Sequence, residues 1–228
     1  DTYVAGVRAY STSGWFKDPI LSSMLNSDHL SLASLIFHES AHGRIWIKGD
    51  VAFNESFASF VAEQGLAQWL DKVGSQGSKE QPLVPVFQKT DWTNLKDFLI
   101  VLRNELGSIY TSVKFASDEV GSLKSRKITG WLSCYEKNKN QLGRGQYDGL
   151  VYESLNNAFL MSLATYSDWV PSFRKIFEDS KGNWQRFFEE VEALGNLAKA
   201  ERQNLLRSLA QHKVTGGRNY KSSTEIQC

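Results

Sequence analysis

The chain has 228 residues, with 26 basic against 25 acidic side chains, a formal charge of +1 at pH 7 and 41% hydrophobic residues. That length can bury a sizeable core as one compact domain, and the mixed signs exclude the charge pattern of a nucleic-acid binder or a polybasic membrane surface. Within these residues no apolar run is long enough to span a bilayer and no stretch reads as a secretory signal, while two cysteines, Cys134 and Cys228, are too few for a disulfide scaffold.

In chain order, Thr2 to Tyr10 alternates loosely between apolar and polar and reads as a strand. Trp15 to Pro19 breaks the regularity. Leu30, Leu32, Ala33, Leu35, Ile36 and Phe37 then predict a mostly buried helix, with Ser27 or Asp28 to cap its start.

That helix runs into His38-Glu39-Ser40-Ala41-His42, the pattern His-Glu-x-x-His. On a helix, residues four apart share a face, so His38 and His42 can offer two imidazole nitrogens to one metal ion. Glu39 stands about 100° around from His38, close to the ion without having to be a ligand. Two neutral nitrogens and a carboxylate able to accept a proton from water are what metal-assisted hydrolysis requires.

Catalytic zinc takes three protein ligands, so a third is needed. Glu55 is the candidate: it opens a segment with Phe57, Phe60, Val61, Gln64 and Leu66 at helical spacing. Ala58, Ser59 and Ala62 are small enough to let that helix pack closely on the first. Glu63 is the rival ligand two turns on, and His29 and His212 sit in no supporting motif. Between the two helices Gly43 interrupts the pattern, and Arg44 to Lys48 reads as a short strand or a helix extension. Asp50 either orients a ligand histidine or caps the next helix.

Gly74 to Lys89 is rich in Gly, Ser, Gln and Pro and reads as a loop. It divides a metal-site region, residues 1–73, from a helical region, residues 91–228, within one compact domain. Trp92, Leu95, Phe98, Leu99, Leu102, Leu106 and Tyr110 predict one long helix. Leu123, Ile128, Trp131, Leu132 and Tyr135 predict a second packed antiparallel to it. Tyr147 to Tyr166 reads as a further helix carrying Tyr152, Asn156, Asn157 and Tyr166. Paired asparagines inside a helix need tertiary partners. These four residues are candidates for binding substrate or stabilising an oxyanion, and equally for interhelical hydrogen bonding. Pro171 starts another helix, Trp184, Phe187, Phe188 and Val191 read as core, and a last helix spans residues 197 to 212. The expected fold is mainly α with a small β element.

HESAH followed by NESFASFVAEQG resembles the gluzincin pattern, and more narrowly a bacterial family described as zinc-dependent aminopeptidases. The likeness extends to residues 9–20 (AYSTSGWFKDPI), to Lys48-Gly49-Asp50 and Phe53-Asn54-Glu55, and to Ser154-Leu155-Asn156-Asn157-Ala158 with Ala164-Thr165-Tyr166. The resemblance implies Zn2+ on His38, His42 and Glu55, Glu39 as general base, Asn54 beside the site, and a peptide substrate. It also implies a cleft edge at Tyr10 to Gly14, the alternative being an ordinary sheet edge. The family pattern has a region ahead of position 1, so a trimmed, processed or domain-only chain is expected, located in the bacterial envelope or periplasm through a lipid anchor in that region, with the cytoplasm as alternative. Aminopeptidase action rests on this resemblance. A zinc endopeptidase and a non-catalytic zinc-stabilised interaction protein are the other readings, and oligomeric state is not encoded in any motif.

Overall fold

The computed structural model describes residues 1–4, 22, 28–75, 86–112 and 117–211. Among these residues it is helical, with no strand. Residues 2–4 of the expected strand have no regular structure, and the rest of it, with Tyr10 and the cleft edge to Gly14, lies outside the described residues. The chain forms two compact units. One is built from described residues within Ala5–Leu83 and Ala164–Gly216, the other from Asp1–Val4 and Val84–Leu163.

The first unit begins with α1 (His29–Arg44). Asp28 caps it: Oδ1 accepts the N–H groups of Leu30 and Ser31, each at 3.0 Å, satisfying donors the first turn cannot. The helix passes through Gly43 and ends at Arg44, where Ile45 turns extended. Residues 45–47 are neither a strand nor a continuation of the helix, which corrects the expectation for Arg44 to Lys48. The reason is Asn54, whose amide accepts the Ile47 N–H and donates to the Ile47 carbonyl, both at 2.9 Å. Both backbone groups of Ile47 are thereby satisfied outside any ladder. Gly49 then turns at φ 79°, a left-handed angle suited to a residue without Cβ.

The short turn sends the chain back as α2 (Val51–Ser75), which extends into the stretch expected to be loop. Phe53, Phe57 and Phe60 recur at helical spacing and are fully buried. They meet α7 (Val170–Asp179) through Phe173, and α8 (Trp184–Gly195) through Phe187. Leu206 of α9 (Lys199–Gln211) joins the same core. Each buried Phe ring contributes about 1.5–3 kcal/mol relative to an exposed one. Gly65 of α2 lies under Phe37 of α1, so closely that a Cβ there would stand 3.2 Å from the ring.

In the second unit α3 (Val86–Ser112) packs on α4 (Ser117–Asn138), the expected helical pair. Leu95, Leu99, Leu102 and Leu106 form its seam against Cys134, Tyr135 and Leu142. Cys228 lies outside the described residues. The single helix expected over Tyr147 to Tyr166 is instead two, α5 (Asp148–Ser154) and α6 (Asn157–Thr165). Leu155 is extended, and Asn156 caps the second helix by accepting the Phe159 N–H at 3.0 Å. An asparagine that is poor inside a helix is among the best residues at its start.

Candidate metal centre

Helices α1 and α2 bring His38, His42 and Glu55 together. One nitrogen from each histidine and a carboxylate oxygen all lie within 4.8 Å of one another. His38 Nε2 stands 3.2 Å from Glu55 Oε2, and His42 Nε2 stands 3.6 Å from Oε1. In a tetrahedral zinc site with bonds of about 2.0–2.1 Å, ligand atoms are separated by about 3.3 Å. The two histidine–carboxylate distances lie close to that value, and two imidazoles with a carboxylate are donors such an ion accepts, so the group could hold a metal. The helical step of four in α1 puts the two imidazoles on one face, with ring centroids 4.9 Å apart and planes nearly perpendicular.

Burial tends to raise the Glu55 carboxyl, but the hydrogen bond from His38 and the close approach of His42, with their charges, outweigh it and hold the group down to about 2. Glu55 is thus a carboxylate wherever the protein is folded near neutrality. His42 is buried, and its Nδ1 has no partner among the described residues. A metal-bound imidazole ordinarily donates that proton to a carboxylate or carbonyl.

Asp50 does not serve that purpose. Its backbone carbonyl accepts the Asn54 N–H at 3.1 Å, so it holds the cap position of α2. Its carboxylate is committed to Arg202, whose Nε and Nη2 donate to Oδ2 at 3.1 and 2.8 Å. Arg202 Nη1 also donates to the carbonyls of Gly195 and Leu197, and its guanidinium lies 5.4 Å over the Phe53 ring. Both residues are buried, and the pair locks the start of α2 to the C-terminal helices of the same unit. Asn54 has a structural task at Ile47, and Glu63 is engaged by Arg174 at 3.0 Å.

Of the four candidates between 152 and 166, the structure brings Tyr166 to the triad. Its ring lies 6.2 Å from that of His38. Burial raises its phenol above the ordinary value of 10.0, and the charges on Glu55 and Glu39 push it further the same way. Tyr166 stands in a turn fastened to α2 by Ser56, which donates to the Thr165 carbonyl and accepts the Trp169 N–H, both at 3.2 Å. The other three serve the second unit. Tyr152 donates to Glu136, Asn156 donates to the Thr2 carbonyl at 3.0 Å, and Asn157 donates to the Tyr110 hydroxyl at 2.7 Å.

Two neighbours of the triad carried no distinct signal in the sequence. Ser56 is fully buried beside Glu55. Trp46 sets its ring 5.3 Å from that of His42, edge to face. Ile45-Trp46-Ile47 is apolar throughout, so nothing in the run set Trp46 apart from its neighbours.

Residues 1–206 match the model of a family described as "putative aminopeptidase". No curated protein and no solved structure matches the chain.

Proposed function

The chain belongs to that aminopeptidase family, and from this premise we propose that it is a zinc-dependent peptide hydrolase of the gluzincin type that removes N-terminal residues. The observation that carries the reading is the convergence of His38, His42 and Glu55 from two helices, with Glu39 and Tyr166 beside them.

The three donors would hold Zn2+, which acts as a Lewis acid and lowers the pKa of water to about 7. Glu39, adjacent to His38 and not among the donors, accepts the proton of the attacking water and returns it to the leaving amine. Tyr166 remains a phenol across the neutral range and can donate to the carbonyl oxygen as that oxygen gains charge. Glu55 stays ionised and its helix is fixed at the start by Asp50 and Arg202, so the carboxylate is preorganised rather than recruited.

The test is metal content together with cleavage of a mixed peptide library, the protein being compared with its Glu39→Gln variant. One zinc per chain and Glu39-dependent loss of N-terminal residues supports the proposal. Internal cuts would keep the chemistry and remove the exopeptidase assignment. Zinc without any cleavage would leave a non-catalytic zinc protein.

A further inference from the structure

Residues 45–47 present three side chains in sequence: Ile45 is buried, Trp46 is 48% exposed, and Ile47 is partly buried. The segment is held on both sides of the tryptophan. Ile45 belongs to the core, and its N–H donates to the Ala41 carbonyl at 3.1 Å. Ile47 is gripped through both backbone groups by Asn54 and seated against Gly195, where a Cβ would come within 2.6 Å of it. Trp46 therefore cannot turn inward without breaking these contacts. A large indole is kept half in water, 5.3 Å from the ring of a metal-site histidine.

An exposed aromatic on a rigid backbone loses little entropy when a ligand covers it, and it offers area that water does not compete for well. We infer that Trp46 is a specificity-determining residue, forming an apolar wall for the side chain next to the scissile bond, so that peptides with a large apolar or aromatic residue there are preferred. This inference rests on the peptidase reading. Tyr166 stands beside His38 as Trp46 stands beside His42, and its hydroxyl is a polar handle, so the two exposed aromatics divide the work of gripping a side chain and meeting a carbonyl.

The experiment measures binding as well as turnover. Two peptide series, Xaa-Ala-Ala-Ala and Ala-Xaa-Ala-Ala with Xaa as Phe, Leu, Ser or Asp, are titrated calorimetrically against zinc-loaded E39Q protein. The same titration is run on E39Q carrying W46A or W46F. The Phe and Leu members of one series are expected to bind about 3- to 10-fold tighter than the Ser and Asp members. W46A should abolish that preference, W46F should keep most of it, and zinc content should be equal in all three. A preference that survives W46A overturns the inference. So does a W46A protein that loses zinc or weakens on every peptide equally, because Trp46 would then act through His42. Cleavage by the unsubstituted protein with no apolar preference sinks the Trp46 role alone. No binding by E39Q and no cleavage by the unsubstituted protein sinks the peptidase reading and the inference together.

Discussion

Ser56 donates to the carbonyl of Thr165 from a fully buried position directly after Glu55. The residue that follows the carboxylate of the triad thus fastens the turn carrying Tyr166. Removing the hydroxyl in Ser56→Ala also leaves the Trp169 N–H without its partner, at a cost of about 1–3 kcal/mol. Turnover should fall while zinc stoichiometry holds. Tyr166→Phe should lower kcat by about 10²–10³ with a smaller change in KM. In the double variant the two losses should not add, since both act through one hydroxyl. Additive losses in steady-state kinetics would separate Ser56 from Tyr166.

In the proposed mechanism Glu39 and the histidines have separable tasks. Glu39→Gln keeps the donors intact, so zinc measured by atomic absorption should remain near one per chain while turnover drops by about 10²–10⁴. His38→Ala or His42→Ala removes a donor, and metal itself should be lost. A Glu39→Gln protein with unchanged rates would dismiss the proton-transfer role.

The Asp50–Arg202 pair is buried at both ends, with side chains 3% and 4% exposed. Taking away one partner strands a charge. Asp50→Ala or Arg202→Ala should each destabilise the protein by about 3–5 kcal/mol in urea unfolding. Replacing both, Asp50→Leu with Arg202→Met, should cost less than the sum. Because Asp50 opens the helix that carries Glu55, zinc affinity should fall with either single change.

The Glu55 carboxyl is held at about 2 against an ordinary 4.5. A depressed acid stabilises the folded state above the unfolded value, and that contribution is lost as pH falls through the folded value. With metal removed by a chelator, the part of the stability due to Glu55 should be complete above 4.5 and disappear towards about 2. Glu55→Gln should flatten the pH dependence of Tm within that window. An unaltered profile would mean that the histidines do not hold the carboxylate as the distances indicate.

The helix bearing His38 and His42 was legible because spacing of four, an apolar run and Asp28 all agree on one element. The α3 and α4 pair was legible because Leu95, Leu99, Leu102 and Leu106 keep one period throughout. The break at Leu155 was not, because Leu150, Leu155 and Ala158 continue a helical pattern across it and Asn156 suits both a buried interior and a cap. Asp50, Ser56 and Trp46 could not be assigned for a different reason. Their roles depend on Arg202, Thr165 and the ring of His42, and two of those partners lie more than a hundred residues away in sequence.

Gly65 and Phe37 carry a consequence for ion choice. His38 and His42 ride on α1 and Glu55 on α2, so the size of the donor triangle is set by the gap between two rods. That gap closes where Gly65 accepts the Phe37 ring, and a methyl group there would meet the ring at 3.2 Å. A Gly65→Ala chain would have to yield by a few tenths of an ångström one residue before His38. On the zinc reading proposed above, the ionic radius accepted by the triad would then be tuned by a side chain that never touches the ion, and discrimination between Zn2+ and a larger divalent cation would become a property of helix spacing.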